Sequence, residues 1–168
     1  MLDELLRQLD GPIASMGWEA ALLRLLAALF LGAAIGWERE VHTKPAGLRT
    51  HMLICVASCL FTILTLELMT LYPDAGQVRT DPIRIIEAVT AGVAFLAAGM
   101  IFTHKNTVHG LTTGAGMWLA GAVGVSCGIG RLSLALMATV LSVTILWLLG
   151  SVMGAVTNKN DRGGTAPD

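Results

Sequence analysis

The sequence is poor in charge: Asp, Glu, Lys and Arg make up 14% of its 168 residues. A soluble domain usually carries about a quarter, so this chain has too few charges to cover its own surface. It has no basic run and a net charge of −1, which makes nucleic acid a poor partner. Its three cysteines are an odd number and cannot pair into a complete disulfide set. CxxC, a Gly-rich phosphate loop and a Ser/His/Asp set are all missing, so nothing argues for an enzyme and no cofactor or metal is implied. No secretory leader is evident either, because Asp3, Glu4 and Asp10 occupy the place of a basic n-region.

What the chain has instead is apolar residues, 54% of the total, with a mean hydropathy of +0.69. Uncharged runs fill residues 110–130 and 132–158, each long enough to cross a bilayer as a helix. Three shorter runs, extended past one intruding charge each, give spans near 18–37, 49–71 and 84–103. The pattern predicts an all-α, integral membrane bundle of five transmembrane helices over residues 18–154. Residues 1–12 put Leu2, Leu5, Leu6 and Leu9 on one face, which suits a short interfacial helix stopped by Gly11-Pro12. Residues 155–168 are polar and are expected to form a disordered cytoplasmic tail.

Five spans place the termini on opposite sides. With the N-terminus outside, the inner segments hold Arg39, Lys44, Arg49, Lys105, Lys159 and Arg162, against Arg7, Arg79, Arg84 and Arg131 outside. The positive-inside rule then favours an outer N-terminus and a cytoplasmic C-terminus. The stretch "GAAIGWEREVHTKPAGLRTHM" becomes the inner turn between the first two spans. The unpaired N–H groups of its return helix suit an anion: a lipid phosphate, a partner's carboxylate, or Glu38 and Glu40 themselves. The plainer reading is a turn that only fixes topology.

This turn has a second copy. "GWEREVHTKPAGLRT" from Gly36 and "GMIFTHKNTVHGLTT" from Gly99 both place Gly-Leu eleven residues on, at Gly47-Leu48 and Gly110-Leu111. Each adds a Thr three residues later, Thr50 and Thr113. A repeated helical hairpin in one orientation is the reading, with chance matching of Gly-rich sequence as its rival. In the fourth span, Gly110/Gly114 and Ala120/Gly124/Gly128 form small-residue rows. Such rows let helices approach closely in lipid, so this helix is expected at the centre of the bundle. A homo-oligomer face is the other use.

Arg24, Glu67 and Glu87 lie within predicted spans, each roughly 21–24 Å from the inner end by helical rise. Arg84 shares a face with Glu87. An outer polar layer of Arg24, Glu67, Arg84 and Glu87 follows, serving either as ion pairs that tie helices together or as an ion entry site. His51, Cys55 and Cys59 form a row at i, i+4 and i+8. Ordinary packing is favoured over a soft-metal site.

The block "RLLAALFLGAAIGWEREVHTKPAGLRTHMLICVASCLF" closely resembles the signature of the MgtC/SapB family of bacterial inner-membrane proteins. "DPIRIIEAVTAGVAFLAAGMIF" and "VHGLTTGAGMWLAGAVGVSCGIG" resemble its two later blocks. Glu38, Arg39, Ala46, Gly47, Leu48, Arg49 and Thr50 match the first block. Arg84, Gly92, Phe95, Leu96, Ala98 and Gly99 match the second, and Gly110, Leu111, Thr112, Thr113 and Trp118 the third. Ala94 and Ala97 replace glycines of the usual pattern, and the soluble C-terminal domain of longer members is not present in this sequence. The resemblance implies a short, SapB-like, five-helix inner-membrane protein without enzymatic activity. It also implies a role in magnesium-linked ion homeostasis through another membrane complex such as the F-type ATP synthase. A small ion transporter or channel using Arg24, Glu67 and Glu87 is the alternative.

Overall fold

The first apolar run folds as α1 (Trp18–Val41) and the second as α2 (Leu48–Leu71). In the computed structural model, which describes residues 16–71, 82–104 and 107–163, three more helices follow: α3 (Pro82–Gly99), α4 (Leu111–Ile129) and α5 (Leu132–Gly163). Pro82 opens α3, the position where a missing N–H costs least. Two short strands, β1 (Phe102–His104) and β2 (Thr107–His109), pair antiparallel between α3 and α4, with Thr103 opposite Val108. The interfacial segment expected at residues 1–12 lies outside the described residues.

Three helix ends differ from the sequence expectation, and the first is that of α1, which runs four residues past Trp37 to Val41. The third span was expected to run to Thr103, but α3 stops at Gly99 and the next residues enter the hairpin. Phe102 and Thr103 extend the apolar run in composition, yet β-branched and aromatic residues also suit a strand. At the other end, α5 continues to Gly163, into the segment expected to be a disordered tail. No proline interrupts it before Pro167, and a nucleated helix propagates through polar residues at little cost.

Four of the helices pack as two antiparallel pairs, and α5 packs against α1 and α4. In the α1–α2 pair, a Cβ added at Gly36 would stand 2.7 Å from the Cα of Leu48, and one at Gly32 would stand 2.8 Å from the Cβ of Cys55. In the α3–α4 pair, Gly121 faces Val93 and Gly114 faces Ala97. α2 and α4 run parallel between the pairs, with His51 beside Gly116 and Thr62 beside Gly128. Both Gly-Leu-x-Thr turns therefore stand at one end of the bundle. α4 touches every other helix, which makes it the central element.

The core is built from small and medium side chains: Ala28, Cys55, Cys59, Ala120, Val123 and Cys127 are among its fully buried members. Large apolar residues point outward instead, including Phe30, Trp37, Leu53, Phe61, Phe95 and Trp147. Water would not tolerate so much exposed apolar surface. α1, and α2 over Leu48–Thr70, are long and apolar enough to cross a membrane, with mean hydropathies of 1.9 and 2.2.

Candidate functional site

The last turn of α1 carries three charged residues whose side chains part company. Glu38 and Arg39 turn into the bundle, only 7% and 4% exposed, and the Arg39 Nε–H donates to Glu38 Oε2 at 2.5 Å. His42 lies beside them, with Nδ1 2.8 Å from Glu38 O and 3.3 Å from Glu38 Oε1. The Glu38–Arg39 contact is the only pairing of a carboxylate with an Arg or Lys among the described residues. Charges taken out of water need such partners, since an isolated buried charge costs several kcal/mol or more.

Glu40 is exposed and does something different. Its Oε2 accepts the backbone N–H of Leu48, the first residue of α2, at 2.9 Å. Of the anions expected at this helix N-terminus, the chain supplies its own. Gly47 makes this possible, because a Cβ there would collide with the Glu40 carboxylate. Between the helices, Thr43 adopts φ 52°, and Thr43 N–H and Lys44 N–H donate to Glu40 O and Arg39 O. That bonding closes the end of α1 in the manner usually given to a left-handed glycine.

The second turn is built differently. Gly110, at φ 88°, starts α4 without a side-chain cap, and a Cβ there would strike the Met100 carbonyl. Thr113 is buried, whereas Leu111, Thr112 and Arg49 are exposed and Gly47, Leu48 and Thr50 are half-buried. The two turns therefore present different groups at this end of the bundle. Glu40 already engages Leu48, and Arg49 faces outward. The buried polar groups at this end are Glu38, Arg39, His51 and Thr113.

At the opposite end, Arg24 does not meet a carboxylate among the described residues. Its Nη1 donates to Gly128 O at 2.7 Å, in the last turn of α4. Glu67 is half-buried, and Arg84 and Glu87 are exposed. Arg24 thus acts as a cap on α4, and neither Glu67 nor Glu87 pairs with it among the described residues. The physical reason is local: helix carbonyls at a C-terminus carry partial negative charge and lack intrahelical donors. Gly130, at φ 86°, bonds its N–H to Cys127 O while Arg131 N–H bonds to Ser126 O, which leaves Gly128 O available.

The His51–Cys55–Cys59 row faces inward, with all three residues fully buried, Cys55 against Gly32 and Gly124 and Cys59 against Gly128. What sequence reasoning missed is on this row. His51 Nδ1 lies 2.8 Å from Gly47 O, but its Nε2 has no partner among the described residues. The glycine opposite, Gly116, stands one four-residue step before the Ala120/Gly124/Gly128 row, a spacing that signals close helix packing and gives no sign of a facing imidazole nitrogen.

An apolar-surfaced helical bundle with two helices fit to cross a bilayer defines a helical membrane protein. The chain belongs to the MgtC family, whose model matches residues 25–155. It is 35% identical to the "Putative magnesium transporter YhiD" of Escherichia coli K12, over 83% of this chain and 65% of that protein. It is 40% identical to "Protein MgtC" of Salmonella typhimurium LT2, over 71% of this chain and 48% of the relative. Against "Protein SapB" of Bacillus subtilis the identity is 39%, over 65% and 47%. The chain thus spans about half to two thirds of the length of these relatives. No solved structure matches it.

Proposed function

We propose that this chain is a non-enzymatic, multi-pass protein of the bacterial inner membrane that modulates magnesium-linked ion homeostasis by binding another membrane complex. The F-type ATP synthase is the candidate complex, and the contact surface is the end of the bundle formed by the α1–α2 turn and the β1–β2 hairpin. All five helices span, the N-terminus lies outside and the C-terminus in the cytoplasm. One observation carries the reading: the α1–α2 turn is held rigid from within, by the Glu38–Arg39 pair and the Glu40 bond to Leu48, while Lys44 and Arg49 remain exposed. Fixed charges on a rigid platform suit recognition, because little ordering entropy is lost on binding.

Affinity purification from native membranes tests this. The native chain should retain a membrane complex that Lys44→Glu/Arg49→Glu releases at unchanged abundance, whereas equal retention would remove the turn from the contact. Orientation is checked by cysteine labelling in intact cells. A cysteine at His42 should be shielded from an impermeant reagent and one at Gly76 should react; the reverse pattern would put the turn outside.

The second reading, a small ion transporter, is favoured by the description of the Escherichia coli relative as a putative magnesium transporter. Arg24, Glu67 and Glu87 would then line the path.

A further inference from the structure

The imidazole of His51 is fully buried, and its two nitrogens are in different situations. Nδ1 faces the Gly47 carbonyl at 2.8 Å, so it must carry a hydrogen and donate it. In the neutral ring this leaves Nε2 with a bare lone pair. Nε2 is the one buried side-chain nitrogen or oxygen without a hydrogen-bond partner among the described residues. Buried acceptors are seldom left so, and an ordered water is a common remedy.

The surroundings say what would fit. Nε2 is aimed at α4, where a Cβ on Gly116 would stand 3.2 Å from it. Glycine at this position leaves the space of a missing methyl group directly in front of the lone pair. Thr113, three residues earlier and therefore on the same helical face, is buried and brings a hydroxyl to that face. On the α1 side the charged neighbours are Glu38 and Arg39, which act on the ring electrostatically and are bonded to each other. A metal ion suits the place poorly, since no three His, Cys, Asp or Glu side chains among the described residues are grouped to hold one.

We propose that a single water molecule is bound between α2 and α4, donating to His51 Nε2 and accepting from the Thr113 hydroxyl. Water is a small ligand that can donate to Nε2 and still hydrogen-bond the Thr113 hydroxyl, which donates and accepts alike. The bridge fastens the start of α2 to the start of α4, so the two Gly-Leu-x-Thr turns are coupled through His51 and Thr113 rather than by direct contact. His51 is then a positioning residue that links the turns, and the smallness of Gly116 is explained by the ligand it admits.

The test is nitrogen-15 NMR of the full chain labelled at histidine, in lipid nanodiscs. In the native protein, the His51 Nε2 signal should be that of an unprotonated nitrogen that accepts a hydrogen bond, with magnetisation transfer from a bound water. Thr113→Val should move the signal towards the unbonded value, and Gly116→Ala should remove the water transfer. A native Nε2 that carries its own proton, or that is unbonded without water transfer, would overturn the proposal. So would water transfer that survives Gly116→Ala. The native measurement decides by itself if a variant fails to fold.

Discussion

Arg24 Nη1 and Gly128 O stand 2.7 Å apart, although 104 residues separate them in sequence. The contact ties the first helix to the last turn of the central one, and it uses a carbonyl that the αL turn at Gly130 leaves without a donor.

Arg24→Leu should therefore lower stability by about 1.5–3 kcal/mol, the scale of a hydrogen bond to a charged group. The measurement is denaturant titration of the protein in mixed micelles. Because Arg24 pairs with no described carboxylate, combining it with Glu67→Gln or Glu87→Gln should give additive losses within roughly 0.5 kcal/mol. Stronger coupling would restore the picture of an outer ion-pair layer.

The buried Glu38–Arg39 pair predicts an asymmetric response. Glu38→Leu strands a buried guanidinium and should cost about 3–5 kcal/mol. Glu38→Leu with Arg39→Met removes both charges and should recover most of that loss. Equal damage in the single and double variants would mean that the pair contributes through something other than mutual neutralisation.

Thr43 is a β-branched residue in the left-handed region, at φ 52°. Thr43→Gly relieves the clash of its Cβ with the backbone and should raise stability by about 1 kcal/mol. No change, or a loss, in the same titration would argue against that backbone conformation.

The glycines of the bundle should divide into two kinds. A Cβ at Gly124 would approach Ser58 Cβ to 2.7 Å as well as the Cys55 carbonyl, so Gly124→Ala should cost about 1–3 kcal/mol by overpacking. At Gly92 nothing lies within 4 Å of an added Cβ. Gly92→Ala should then be neutral, or stabilising by up to about 1 kcal/mol through helix propensity. Matching losses at both positions would contradict the packing of α4 against α2.

Much of this architecture was legible in the sequence. Charges bracket the apolar runs, so four of the five helices begin within a residue of the expected span. Glycine spacing exposed the close approach of α4, because only backbone contact requires such rows in lipid. The β1–β2 hairpin was hidden, since Phe102, Thr103 and Val108 read equally well as apolar helix ends or strands. Charge alone points Arg24 to a carboxylate, but its partner is a main-chain carbonyl, and a linear sequence gives no sign of which carbonyl a distant Arg will reach. Burial of Glu38 and Arg39 was illegible for a related reason: adjacent charges near a turn usually face water, and only the packing of α2 and α4 turns these inward. The unpartnered Nε2 of His51 depends on Gly116, 65 positions away, and no local pattern connects the two.

Magnesium flux into liposomes containing the purified chain tests the central claim most directly. A protein that modulates ion homeostasis by binding another complex should give flux no different from protein-free liposomes, with either sign of membrane potential. Magnesium entry that saturates with concentration and is lost in Arg24→Leu or Glu67→Gln, at equal incorporation, would contradict the proposal and establish transport.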